Sequence, residues 1–173
     1  MRPPFIIGLD VDEVLAQLHA PWIVWGNRKF GTSYTEFLAW EDPYAWWGKE
    51  ESLRFLTADI YDQDIVKPYP WALAAVDALR SRGHGIRFIT SAAPGTESAK
   101  FNWLVRHGFA KDGDEYITML NKTNAPCHLL VDDGWHNVST FNGWAILVTR
   151  SHNANDLWFG KRINHVGDLL NIL

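Results

Sequence analysis

Residues 5–16 read FIIGLDVDEVLA. The aliphatic run Phe5 to Leu9 ends in Asp10-Val11-Asp12 and passes directly into more apolar sequence. A short, β-branched run of this kind reads as a strand buried on both faces. Ionised carboxylates in apolar surroundings are costly unless something pairs with them. Residues i and i+2 of an extended chain point to the same side, so Asp10 and Asp12 can address one ligand as the chain leaves the strand.

The pattern recurs along the chain. Ile86 to Ile89 (IRFI) runs into Thr90-Ser91, and Leu129 to Val131 (LLV) runs into Asp132-Asp133. Trp144 to Val148 (WAILV) precedes Thr149-Arg150, and Tyr116 to Leu120 (YITML) is a weaker fifth strand. Pro70 to Arg82 has apolar residues at helical spacing, a proline suited to the first turn and Gly83 as a stop. Thr96 to His107 is a second helix, capped by Thr96 and closed by Gly108. Strands alternating with helices predict βαβ units and a parallel sheet. Ligands of such sheets gather at the carboxyl ends of the strands, near a switch point. The polar residues named above stand at those ends. Residues 18–66 break the rhythm and read as a helical insertion, with helices expected over Pro21–Lys29, Tyr34–Trp40 and Glu50–Phe55.

Bulk properties narrow the function. The 173 residues make one domain, or one domain with an insertion. The formal charge is −4 and the acidic residues are scattered, which argues against a nucleic-acid polymer or a membrane surface as partner. A single cysteine, Cys127, excludes an internal disulfide framework and a thiolate metal cage, and reads as a small apolar residue near a strand. The N-terminal stretch meets charge too soon for a secretory signal, and no apolar run approaches the ~20 residues of a membrane span. A soluble, cytoplasmic protein is expected. Five of the ten tryptophans fall between Trp22 and Trp47, inside the insertion.

Acidic doublets at strand ends are common, and DVD alone is weak evidence. The combined order is specific: an apolar run into Asp10-x-Asp12, another into Thr90-Ser91, then Lys122, then a run into Asp132-Asp133. With these four motifs in this order over most of its length, the chain resembles the haloacid dehalogenase-like superfamily of phosphohydrolases. Three stretches, DVDEVLA, FITSAAP and NKTNAPCHLLVDD, make it similar to the 5'(3')-deoxyribonucleotidase branch. That branch normally carries glycine where this chain has Glu13. The resemblance implies an α/β fold: a Rossmann-like parallel sheet flanked by helices, with a small helical cap inserted after the first strand. The expected division is 1–17 with 67–173 as core domain and 18–66 as cap.

A phosphate monoester carries about −1.5 to −2 charge at neutral pH, and a carboxylate attacks it only if that repulsion is offset. Mg²⁺ is the natural offset, being hard and usually held by one or two carboxylates with phosphate and water. Asp10 as nucleophile would form an aspartyl-phosphate, and Asp12 would protonate the leaving oxygen and later take a proton from water. Asp133 would complete the metal site, with Asp132 behind it or as an alternative ligand. In the family the residue matching Asp12 gives its backbone carbonyl to the metal. Lys122 and Thr90 would hold phosphoryl oxygens. Ser91, which reads as structural more than catalytic, Ala92 and Trp22 would line the substrate pocket, with Leu18 and Ala93 beside them. All seven histidines read as structural or surface residues, with His136, in the loop after Asp133, the one to check for substrate contact.

The expected partner is a small phosphomonoester, a nucleoside monophosphate before others, because a flat base stacks well on aromatic side chains. A phosphatase of another small metabolite is the first alternative. A non-catalytic binding protein is the second, and the intact Asp10, Asp12, Lys122 and Asp133 count against it. The sequence leaves oligomeric state open, a homodimer included.

Overall fold

Strand β1 (Ile6–Leu9) lies at the centre of a six-stranded sheet, with Ile7 and Leu9 fully buried. The computed structural model describes residues 4–173, so residues 1–3 of the expected core segment lie outside it. Gly8 is required there: a Cβ would come within 2.7 Å of Cys127 Sγ and 2.8 Å of Ile89 Cδ1. Cys127 is thus a half-buried packing residue, and burial pushes its thiol up to about 11.

Strands β4 (Gly85–Thr90), β5 (Glu115–Thr118), β6 (Leu129–Asp132) and β7 (Trp144–Val148) form where apolar runs predict them. An eighth strand, β8 (Lys161–Ile163), was not anticipated, because two of its three residues are basic. Charged edge strands of this kind resist further pairing. The sheet order is β5-β4-β1-β6-β7-β8 and every pairing is parallel. From β1 the chain builds outward through β4 and β5, then returns to the other side of β1 with β6. The switch point therefore lies between β1 and β6, the location at which open α/β sheets bind ligands.

Helices α4 (Ala72–Ser81) and α5 (Glu97–Arg106) match the two predicted helices within a residue or two. Thr96 does not cap α5 as expected: its hydroxyl donates to the Ala93 carbonyl at 2.7 Å. A short helix α6 (Trp135–Thr140) follows β6.

The insertion leaves and rejoins the sheet through a two-residue antiparallel ribbon, β2 (Ala16–Gln17) with β3 (Lys67–Pro68). Between them lie α1 (His19–Phe30), α2 (Asp42–Trp47) and α3 (Lys49–Thr57). The helix expected over Tyr34–Trp40 does not form. Asp42 Oδ2 captures the amides of Leu38 and Ala39, and Asn27 Oδ1 captures that of Tyr34, which satisfies this backbone as a loop. The aromatic residues here mostly pack against one another. Trp22 stacks on Phe55 with ring centroids 5.6 Å apart and meets Phe37 edge-on at 5.5 Å. Trp47 lies so close to α1 that a Cβ on Gly26 would fall 2.3 Å from its ring. This aromatic cluster is continuous with the core beneath the sheet.

Candidate active site

Asp10, Asp132 and Asp133 leave the neighbouring strands β1 and β6 at the switch point, and one carboxylate oxygen from each lies within 4.8 Å of the others. All three are buried. Lys122 reaches into the group from the loop after β5, with Nζ 2.6 Å from Asp132 Oδ2 and 3.1 Å from Asp10 Oδ1. Burial alone would lower the Lys122 ammonium, but Asp10 and Asp132 outweigh it and raise it above an ordinary lysine. Asn137 on α6 donates to both oxygens of Asp132, and the Gly134 amide adds a third bond.

Asp133 is different. It is fully buried and neither carboxylate oxygen has a hydrogen-bond partner. His152 Nε2 comes within 3.1 Å of Oδ2, without hydrogen-bond geometry. Burial, then Asp132 and Asp10, push the Asp133 carboxyl well above the usual carboxylate range. An orphaned carboxylate beside two further carboxylates is an all-oxygen, strongly negative donor set. Such a set fits a hard divalent cation.

Asp12 also lines the cavity, with partners of its own. Tyr61 Oη donates to its Oδ1, and Lys100 Nζ lies 2.6 Å from its Oδ2. Tyr61 stays a phenol, since burial and then Asp12 raise it well above 10. Thr90 is buried at the end of β4, its Oγ1 3.4 Å from Lys100 Nζ. Ser91 spends its hydroxyl on the Met119 carbonyl at 3.2 Å, in keeping with a structural reading.

Above these groups is a cavity of about 360 Å³. Asp10, Asp12 and Asp132 reach its floor; Ser91, Ala92 and Ala93 line one side, and His136 another. Leu18, Trp22, Trp40, Tyr44, Leu53 and Leu56 complete it from the insertion. Trp22 reaches the cavity but is only 1% exposed, so it is chiefly a packing residue of the wall. Thr90, Lys122 and Asp133 form the buried part of the floor and do not line the open space.

Glu13 explains itself in the structure. Its φ of 54° is left-handed, a conformation glycine adopts freely and other residues rarely do. The side chain offsets that strain through three contacts: the His19 amide at 2.8 Å, Tyr69 Oη at 2.9 Å and Arg150 Nε at 3.6 Å. His19 in turn packs against His152, the neighbour of Asp133, with ring centroids 4.9 Å apart. Burial first, then His152, pull the His19 imidazole down to about 3.

The geometry thus gathers Asp10, Asp12, Thr90, Lys122, Asp132 and Asp133 at one end of the sheet. Sequence reasoning missed Lys100, Tyr61, Asn137 and His152. Lys100 left a signal: with Trp103 and Leu104 it occupies the buried i, i+3, i+4 face of α5, where a lone lysine is out of place.

The chain is similar to known proteins over nearly its whole length. A curated 5'(3')-deoxyribonucleotidase from Bacillus subtilis (strain 168) is 25% identical over 168 residues, covering 92% of this chain and 93% of the relative. The crystal structure of a HAD phosphatase from Thermococcus onnurineus is similar with a TM-score of 0.56, 14% identity and 96% of each chain covered. A "predicted phosphoglycolate phosphatase" from Haemophilus somnus 129PT is similar with a TM-score of 0.63, 14% identity and 99% of each chain covered. The fold is therefore the haloacid dehalogenase-like α/β fold. The model of the family "5' nucleotidase, deoxy (Pyrimidine), cytosolic type C protein" matches residues 4–163, nearly the whole chain. This chain belongs to that nucleotidase family and is a phosphoric monoester hydrolase.

Proposed function

We propose that this protein is a magnesium-dependent 5'-nucleotidase, most specifically a 5'(3')-deoxyribonucleotidase, that dephosphorylates nucleoside monophosphates through an aspartyl-phosphate on Asp10. The observation that carries the reading is the buried group of Asp10, Lys122, Asp132 and orphaned Asp133 beneath a cavity with an aromatic wall. Asp10, Asp133, Asp132 and the backbone carbonyl of Asp12 would hold Mg²⁺. When bound, the ion offsets the repulsion between phosphate and nucleophile. Asp10 attacks phosphorus. Lys122, 3.1 Å from Asp10, and Thr90 stabilise the phosphoryl oxygens as charge shifts. Asp12 protonates the leaving oxygen and then takes a proton from the attacking water.

Residues 18–66 act as the cap domain over the core of 1–17 and 67–173. Their aromatic face supplies the wall against which a base stacks, with Ala92 beside the sugar. The family description supports a cytosolic location. No helix of the described residues is long and apolar enough to cross a membrane.

The test is a phosphate-release screen over nucleoside monophosphates and sugar phosphates with Mg²⁺. The reading expects higher kcat/KM for deoxynucleoside monophosphates. An equal or reversed preference would move the assignment to a phosphatase of another small metabolite. Inactivity across metals and substrates would leave only a binding role.

A further inference from the structure

The site holds two buried lysines, and the proposed chemistry uses one. Lys122 stands beside the nucleophile. Lys100 stands on the opposite side, with Nζ 2.6 Å from Asp12 Oδ2, 2.6 Å from the Ser91 carbonyl and 3.4 Å from Thr90 Oγ1. An ammonium has three donors, so these three acceptors account for all of them. Lys100 is therefore not free to clamp a phosphoryl oxygen, although it lines the same cavity. Its placement is costly: the residue is 3% exposed on a helix face shared with Trp103 and Leu104. The Tyr61 ring lies 5.3 Å from its Nζ, and the Tyr61 hydroxyl takes the remaining oxygen of Asp12. Arg106, also on α5, donates to the Tyr61 carbonyl and ties the two elements together.

We propose that Tyr61 and Lys100 are positioning residues that aim the Asp12 carboxyl group at the leaving oxygen, a role that rests on the reading of Asp12 as proton donor and acceptor. Each oxygen of Asp12 has its own holder. Lys100, which only donates, keeps Oδ2. That leaves Oδ1, the oxygen beside Tyr61, as the one placed to exchange a proton with the ester oxygen. The Tyr61 hydroxyl holds Oδ1 by donating to it, which leaves a proton on Oδ1 free for the ester oxygen. In the first step the Oδ1 proton passes to the ester oxygen as its bond to phosphorus breaks and the bond from Asp10 to phosphorus forms. In the second, water attacks phosphorus, its proton returns to Oδ1, and the bond from Asp10 breaks. Tyr61 lies between α3 and β3, in the last stretch of the insertion. The aim of the acid is thus set jointly by the insertion and by the core helix α5.

Leaving-group dependence tests this. A nucleoside leaves as an alkoxide and needs the proton; p-nitrophenolate leaves without it. Lys100→Met and Tyr61→Phe are measured with deoxythymidine 5'-monophosphate and with p-nitrophenyl phosphate, in Mg²⁺, beside Asp12→Asn. The comparison uses kcat/KM, which reports the first chemical step. Each positioning variant is expected to lose about 10- to 100-fold on the nucleotide and less than about threefold on the aryl ester. Asp12→Asn should show the same selectivity, more strongly. If Asp12→Asn loses equally on both esters, the reading of Asp12 fails first. If it is selective while Lys100→Met and Tyr61→Phe lose equally on both or on neither, the positioning role is overturned. Tyr61→Phe removes one oxygen atom and carries the test alone should Lys100→Met fail to fold.

Discussion

The floor and the wall of the cavity are built on opposite principles. The floor is charge held in place by backbone: Asp10, Asp132 and Asp133 are fixed by the ends of two adjacent strands, with Lys122 set among them. The wall is aromatic surface held in place by other aromatic surface, as in the stack of Trp22 on Phe55 and the seat of Trp47 on Gly26. Changing a charge below should always alter chemistry, whatever it does to the fold. Changing a ring above should alter fold more than chemistry.

The sharpest break would come from Asp10→Asn, which is expected to abolish phosphate release from every ester while leaving the melting temperature at or above wild type. Residual turnover within tenfold of wild type would show that the floor is not the reacting centre. Lys122→Met should lower kcat by roughly 100- to 1000-fold. It should also cost about 3–5 kcal/mol in urea unfolding, because Asp10 and Asp132 lose their buried partner. The wall is probed by Trp22→Ala, expected to cost about 3–5 kcal/mol of stability. Its kcat on p-nitrophenyl phosphate at low temperature should stay within about threefold of wild type; a larger loss would erase the distinction between the regions.

Metal linkage is a smaller effect. Mg²⁺ at about 100 times its dissociation constant should stabilise the wild type by about 2.7 kcal/mol. Asp133→Asn should lose that gain and melt higher than wild type in chelator, since it removes an orphaned buried carboxylate. The last prediction concerns His19, whose folded imidazole is held down at about 3 by burial and His152, against an ordinary 6.5. The unfolded chain binds the extra proton between those values, so stability falls as pH drops through that window. His19→Gln should flatten the acid side of a melting-temperature profile. An unchanged slope would mean that His19 is solvated.

Floor and wall also differed in how much the sequence disclosed. Floor residues follow strands with two-faced apolar runs, and the motif order fixed which strand ends meet. Lys100 escaped because a lysine on a helix reads as solvated until the helix's buried face is known. The wall was readable only as aromatic content. Asp42 and Asn27, through side-chain bonds to backbone amides, decided that 34–40 is a loop, and apolar periodicity carries no trace of such bonds. The edge strand β8 was hidden by its basic residues, which serve the edge rather than the core.

Glu13 sits where the chain turns from the sheet toward the insertion, and its left-handed backbone trades the ease of a glycine for a side chain that grips three elements at once. His19 belongs to the insertion, Tyr69 to the chain rejoining the sheet, and Arg150 to the segment after β7. A glycine would leave this junction a free pivot. The glutamate makes it a latched one, so any swing of the insertion must first unfasten a buried carboxylate. Glu13→Gly is therefore expected to change the rates of substrate entry and product release before it changes the chemical step, a difference that pre-steady-state kinetics would read.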